Sequence, residues 1–203
     1  MEVKNILVSE AYTNCYLVKN EKTNEGFIVD PGDAAFKIAG HINTMQMKPK
    51  AILLTHGHYD HIGAAKELKD KYDIDIYCSN EEVDLLADPR VNLSNWFGAN
   101  MTLKADHTLS DGQEIEIAGI KMKFILTPGH TKGSGCYYVE DENILFSGDT
   151  LFCMSRGRTD FPGGSEREIL DSIRNKLLTL PGNTTVFPGH NEETSIEYER
   201  RFY

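Results

Sequence analysis

A chain of 203 residues with 40% hydrophobic content is long enough to bury one sizeable core. Its 31 acidic residues against 21 basic ones leave a net charge of −10, which disfavours nucleic acid as a partner because phosphate backbones are drawn to basic patches. Four scattered cysteines (Cys15, Cys78, Cys136, Cys153) make no Cys-x-x-Cys pair and exclude a disulfide framework, and no run of about eighteen apolar residues offers a membrane span. With no leader-like N-terminus, a soluble, cytoplasmic protein is expected.

Val3–Ser9, Cys15–Lys19 and Gly26–Val29 read as strands, the last closed by the turn signal Asp30-Pro31-Gly32. A helix is expected from about Ala34, with Ala35, Ile38, Ile42 and Met45 on one face and His41 off it, ending at Pro49. The apolar segment Ala51–Leu54 then leads into Thr55-His56-Gly57-His58-Tyr59-Asp60-His61, and a helix is expected from His61 to about Tyr72. Three imidazoles and a carboxylate thus stand where a buried strand hands over to a helix, the position where α/β folds place chemistry. Their side chains are first-row metal ligands, and the spacing lets them converge.

Ile74–Tyr77 reads as a strand, followed by a short helix with Asn80 as its cap. Loop and short helical turns are expected over 88–106, where Trp96 and Phe97 either line a pocket or belong to the core. Gln113–Ile117 with Lys121–Leu126, and Cys136–Val139 with Ile144–Phe146, read as hairpins. Ser165 and Glu168 have the spacing of a capping box for a helix with Ile169, Leu170, Ile173, Leu177 and Leu178 on its apolar face. Thr184–Phe187 is a last strand, and a terminal helix is expected over 193–203. No repeat or linker interrupts the chain, so a single domain with two β-rich halves and outer helices is expected.

Three later strand ends repeat the pattern of the histidine cluster: Thr127-Pro128-Gly129-His130, Ser147-Gly148-Asp149-Thr150 and Pro188-Gly189-His190. Each is an apolar strand, a glycine that permits close backbone approach, then one candidate ligand. The set of five His and two Asp exceeds what one tetrahedral zinc needs and suits two metals sharing a carboxylate. His107 stands outside these turns and is read as structural or exposed.

This combination resembles the metallo-β-lactamase superfamily over nearly the whole chain. The resemblance implies a four-layer αββα sandwich with the site on one edge of two sheets. It implies a first metal held by His56, His58 and His130, a second held by Asp60, His61 and His190, and Asp149 bridging them, with Asp60 and Asp149 as the catalytic carboxylates. Asp149 argues against a dedicated lactamase, which usually lacks Asp there. His58, in place of Glu, argues against the flavin-linked diiron reductases, and the net charge argues against the nucleases of the superfamily.

The turns Gly148–Phe152 and Gly157-Arg158-Thr159-Asp160-Phe161 are similar to glyoxalase II-like thioesterases, specifically short bacterial hydroxyacylglutathione hydrolases. That resemblance implies a dinuclear, most simply zinc-dependent hydrolase in which a metal-bridging hydroxide cleaves a small-molecule thioester such as a hydroxyacyl-glutathione. Iron or manganese would suit the same donors. Arg158 matches a basic substrate-binding position; it pairs either with a thiol carboxylate or with Asp160. Only thirteen residues follow His190, so no separate C-terminal glutathione-binding domain is expected. Persulfide dioxygenases, which use one iron at the positions of His56, His130 and Asp149, resemble the chain almost as well. A non-catalytic scaffold would be expected to have lost ligands, and none of the seven is missing.

Overall fold

A computed structural model describes residues 1–203. Six strands form one mixed sheet in chain order: β1 (Glu2–Val8), β2 (Thr13–Lys19), β3 (Glu25–Val29), β4 (Lys48–Leu53), β5 (Asp75–Ser79) and β6 (His107–Leu109). The first three are antiparallel hairpins, and β3 through β6 run parallel. The second sheet is built from β7 (Glu114–Ile117), β8 (Ile120–Leu126), β9 (Gly135–Val139), β10 (Ile144–Gly148), β13 (Thr185–Pro188) and β14 (Thr194–Ser195), with β10 and β13 parallel. Between β10 and β13 in sequence, a small hairpin of β11 (Leu151–Phe152) and β12 (Ser155–Arg156) stands apart.

Alternation along the strands makes four layers. Tyr16, Val18, Ala51, Leu53, Phe124, Tyr137 and Phe146 face inward between the sheets. Their strand neighbours Leu17, Ile28, Ile52 and Ile76 face outward onto α1 (Ala35–Thr44), α2 (Tyr59–Ile62), α3 (Ala65–Tyr72) and α4 (Val83–Ala87). Cys136, Tyr138, Leu145 and Val186 of the second sheet face α5 (Glu166–Asn175) and α6 (Ile196–Glu199). The fold is the αββα sandwich expected, in one domain.

Two tyrosines cross the inner layer with their hydroxyls. Tyr137 Oη donates to Leu54 O at 2.9 Å, and Tyr16 Oη donates to Pro188 O at 2.7 Å. Tyr137 is fully buried. The substitution Tyr137→Phe leaves the Leu54 carbonyl short of a partner and is expected to lower stability by about 1–2 kcal/mol, read as a shift in urea midpoint at unchanged slope.

Several element boundaries differ from the sequence reading. The first helix ends at Thr44 because Gln46 turns to positive φ, and Pro49 lies inside β4 beside a register shift in the pairing with β3. The helix expected over 61–72 is two helices, α2 and α3, separated by Gly63 and Ala64. Ser79, not Asn80, is the cap: its hydroxyl accepts from Glu81 N at 3.1 Å. Ser165 caps α5 by accepting from Glu168 N, but its own N–H goes to Gly129 O, so the capping box is one-sided. The terminal helix is only Ile196–Glu199, preceded by β14. His107 opens a strand that local pattern did not reveal.

Candidate metal centre

Each candidate ligand stands just past the C-terminal end of a strand, on one edge of the sandwich. β4 delivers His56, His58, Asp60 and His61; β8 delivers His130; β10 delivers Asp149; β13 delivers His190. All seven side chains meet. His56, His58 and His130 bring ring nitrogens within 4.8 Å of one another, and so do Asp60, His61 and His190 in their oxygen and nitrogen atoms. Asp149 lies between the groups, Oδ2 being 3.6 Å from His130 Nε2 and 3.4 Å from His190 Nε2, and Oδ1 3.3 Å from His61 Nε2.

The donor atoms are the site's most telling feature. His56 Nε2, His58 Nε2, His61 Nε2 and Asp149 Oδ1 are buried without a hydrogen-bond partner. A buried polar atom left unpaired costs stability, and several of them in a donor set of imidazoles and carboxylates fit divalent cations; on His58 it is Nδ1 that faces the cluster, 2.9 Å from His130 Nε2. Gly189 permits this convergence: a Cβ there would stand 2.2 Å from Asp149 Oδ1 and 2.8 Å from His61 Cε1.

Outer partners orient the rings. His130 Nδ1 donates to the Arg158 carbonyl at 2.7 Å, which leaves Nε2 as the lone-pair nitrogen facing the cluster. His61 Nδ1 is 2.9 Å from Asp30 Oδ2. Asp30 also accepts from Thr55 N at 2.8 Å and Thr55 Oγ1 at 2.6 Å, so although it lies near His56 and His61 its oxygens are already engaged. It acts as an orienting carboxylate, the usual outer companion of a metal-binding imidazole. Asp60 Oδ2 accepts from Thr13 Oγ1 at 3.0 Å. Asp30 and Thr13 were missed in the sequence, although Asp30 closes its strand just as Asp149 does.

Electrostatics divides the cluster. Burial, helped by the neighbouring His61 and His130, holds the His56 imidazole well below its ordinary value. Burial and His130 bring His58 down to about 3, so both rings are neutral and ready to ligate. Burial also opposes charge on His61 and His190, but carboxylates overrule it. Asp60, Asp149 and Asp30 hold His61 well above its ordinary value, and Asp149 with Asp60 lifts His190 to about 9. The reciprocal effect brings Asp60 down to about 2 and Asp149 well below the carboxylate range, against their burial. Protons on His61 and His190 thus hold the positive charge that a second cation would supply.

The mouth is aromatic. Phe97 stacks on Tyr59 at 5.5 Å between centroids, and Trp96 meets Phe161 edge-on at 5.5 Å. Phe97 shares a cavity with Tyr59 and Asp60, Phe161 lies edge-on to His58 at 5.6 Å, and Trp96 and Phe97 are 64% and 61% exposed, so they flank the site and are not core. The Arg158 side chain does not join the cluster; it forms a two-pronged pair with Asp160 and covers the Phe161 ring at 3.9 Å. His41 and His107 lie elsewhere: His41 is half-buried on α1, and exposed His107 stacks on Tyr77 and reaches Asp75. No helix is long and apolar enough to cross a membrane.

A family model described as the metallo-beta-lactamase superfamily matches residues 8–190. The chain is 40% identical to the probable metallo-hydrolase YqgX of Bacillus subtilis (strain 168) over 202 residues, covering 98% of this chain and 95% of the relative. It is 33% identical to the hydroxyacylglutathione hydrolase GloC of Haemophilus influenzae (strain ATCC 51907 / DSM 11121 / KW20 / Rd), covering 99% and 96%. Its fold is similar to the crystal structure of the BLEG-1 B3 metallo-beta-lactamase, with TM-score 0.94 at 39% identity and 98% and 97% of the chains covered. It is similar also to TTHA1623 in a di-iron-bound form, with TM-score 0.87 at 30% identity and 98% of each chain covered. With the match running from the end of β1 through His190, the chain belongs to the metallo-β-lactamase superfamily.

Proposed function

We propose that the protein is a dinuclear metal-dependent hydrolase of small-molecule thioesters, of the hydroxyacyl-thiol kind. The observation that carries this is the meeting of seven donor side chains with buried, unpaired polar atoms among them. His56, His58 and His130 would hold one divalent ion and Asp60, His61 and His190 a second, with Asp149 between them; zinc is the simplest choice, and the di-iron relative leaves iron open. Bound there, such ions supply a water of lowered pKa and a Lewis acid for a carbonyl.

The chain's own groups do the rest. Asp60 is ionised at neutral pH and is held by the Thr13 hydroxyl, so its carboxylate accepts a hydrogen bond from the attacking water and orients it. Asp30 and the Arg158 carbonyl keep His61 and His130 aimed. The reaction breaks an acyl C–S bond and forms a C–O bond. The thiol leaves as thiolate without a dedicated acid, since thiol pKa values lie near about 8.5. Phe97, Trp96 and Phe161 form the wall against which the acyl and thiol arms pack. Support for the thioester comes from the hydroxyacylglutathione hydrolase relative, which matches the chain end to end.

Arg158 is proposed to hold a substrate carboxylate in exchange for Asp160. The pair is exposed on both sides, at 58% and 64%, so the exchange costs little. The substitution Arg158→Ala is expected to raise KM about tenfold for carboxylate-bearing thiols with kcat unchanged, about 1.4 kcal/mol of binding.

The deciding assay gives metal-quantified protein a panel of lactoyl-thiols, a chromogenic cephalosporin and a persulfide with oxygen electrode. Thioester turnover that scales with bound metal is expected. Cephalosporin turnover alone would favour the activity in the name of the BLEG-1 neighbour, and oxygen uptake alone an iron oxygenase; either overturns the proposal.

A further inference from the structure

Glu82, at the end of the 3₁₀ turn Asn80–Glu82, is a buried acid that the hydrolysis above does not use. It is 1% exposed, and every group that meets its carboxylate is a donor from a ligand-bearing turn. Oε2 accepts from Gly57 N at 3.2 Å, the residue between His56 and His58. Oε1 accepts from Gly133 N at 3.0 Å and from the Thr131 hydroxyl, in the turn that carries His130. The Thr131 hydroxyl is itself held by Ser134 Oγ at 2.7 Å.

Close packing reinforces the clamp. A Cβ at Gly57 would stand 2.6 Å from Leu85 Cδ2, 2.8 Å from Leu86 Cδ2 and 3.2 Å from Glu82 Oε2. One at Gly133 would stand 2.6 Å from the Glu81 carbonyl carbon and from Glu82 N. Both turns therefore press their backbones against the segment that offers the carboxylate. The other half has ties of its own, Thr13 to Asp60, Asp30 to His61 and Asn14 to the backbone on either side of His190, and none of them involves Glu82.

We infer that Glu82 is a positioning residue for the three-histidine half of the centre, its carboxylate clamping the His56–His58 turn to the His130 turn so that the three imidazoles are preset for one metal ion. The inference rests on the reading of this cluster as a metal centre. Burying a carboxylate is costly, and burial pushes this one up to about 7 despite its three donors. That cost makes a carboxylate an expensive filler at this spot, whereas three aligned donors from two ligand turns are what a clamp requires.

The test reads the two halves separately, by zinc titration against a competing chelator. In a His190→Ala background only the three-histidine half is complete; in a His58→Ala background only the other half is. The substitution Glu82→Gln keeps size but sets its amide N–H₂ against one of the backbone or hydroxyl donors. It is expected to weaken zinc binding about 10–100-fold in the His190→Ala background and less than about twofold in the His58→Ala background. If the glutamine variant does not fold, Thr131→Val, which removes one donor and keeps shape, is expected to give the same split at smaller amplitude. Equal weakening in both backgrounds, or none in either, overturns the inference. A parent protein that binds no zinc, iron or manganese overturns the metal-centre reading and this inference with it. Two ions in the parent with an insensitive Glu82→Gln overturns this inference alone.

Discussion

Replacing Asp149 with Asn is expected to lower kcat/KM for thioester hydrolysis by about a thousandfold or more, which is about 4 kcal/mol of transition-state stabilisation. Asp149 reaches both halves of the cluster, with oxygens at 3.3–3.6 Å from His61, His130 and His190. An amide keeps its volume but presents N–H₂ toward one of those imidazoles, where an anion stood. Both halves lose a shared negative charge in a buried setting, where charge is worth most. The fold should persist, because β10 is held by its pairings to β9 and β13 and by Phe146 between the sheets, none of which involves the carboxylate. Circular dichroism and metal content accompany the kinetics. Removal of His58 is expected to act in the same direction. Substantial turnover by a folded, purified Asp149→Asn protein would sink the assignment.

The ligand turns were legible because each repeats one local rule: apolar strand, glycine, then a lone His or Asp. The αββα layering followed from strands that alternate sides, as Leu53 faces the other sheet while Ile52 faces the helices. What escaped the sequence depends on distant partners. Asp30 has the look of a turn residue, and only the fold brings His61 and Thr55 to its oxygens. Glu82 follows Glu81 in a polar stretch, yet one is exposed and the other buried beneath two turns more than twenty residues away in sequence. Trp96 and Phe97 have core chemistry but lie open at the mouth, since no element covers them. The tail reads as a helix from residue 193, but pairing of Thr194 and Ser195 with β13 claims its first turn. Arg158 shows the same limit from the other side: its residue type suggested a side-chain role, and its backbone carbonyl turned out to orient His130.

Stripping the metals with a chelator is expected to lower the melting temperature by about 10–20 °C near neutral pH. Each ion present at about a hundred times its dissociation constant adds about 2.7 kcal/mol, and a chain of this length moves about 2–4 °C per kcal/mol. The drop should depend on pH with a definite sign. His190 in the metal-free protein is raised from 6.5 to about 9, so its contribution is complete below 6.5 and is lost as pH rises through 9. His61, raised well above 6.5 by the same carboxylates, acts in the same direction. His58, lowered from 6.5 to about 3, penalises the metal-free fold as pH falls below 6.5, because the unfolded chain takes up a proton that the folded one refuses. Asp60, lowered from 3.8 to about 2, keeps its contribution above 3.8 and loses it only as pH falls through 2. From these four groups the metal-free protein is at its best near pH 6.5, and Glu82, raised from 4.5 to about 7, draws that best value lower. Metal binding needs His61 and His190 without their protons, so it strengthens over the window from 6.5 to 9 in which the metal-free protein weakens. The gap in melting temperature between loaded and stripped protein should widen across that window, measured by calorimetry at fixed ionic strength. A gap that narrows from pH 6.5 to 9 would mean that the protons on His61 and His190 do not occupy the place of a cation.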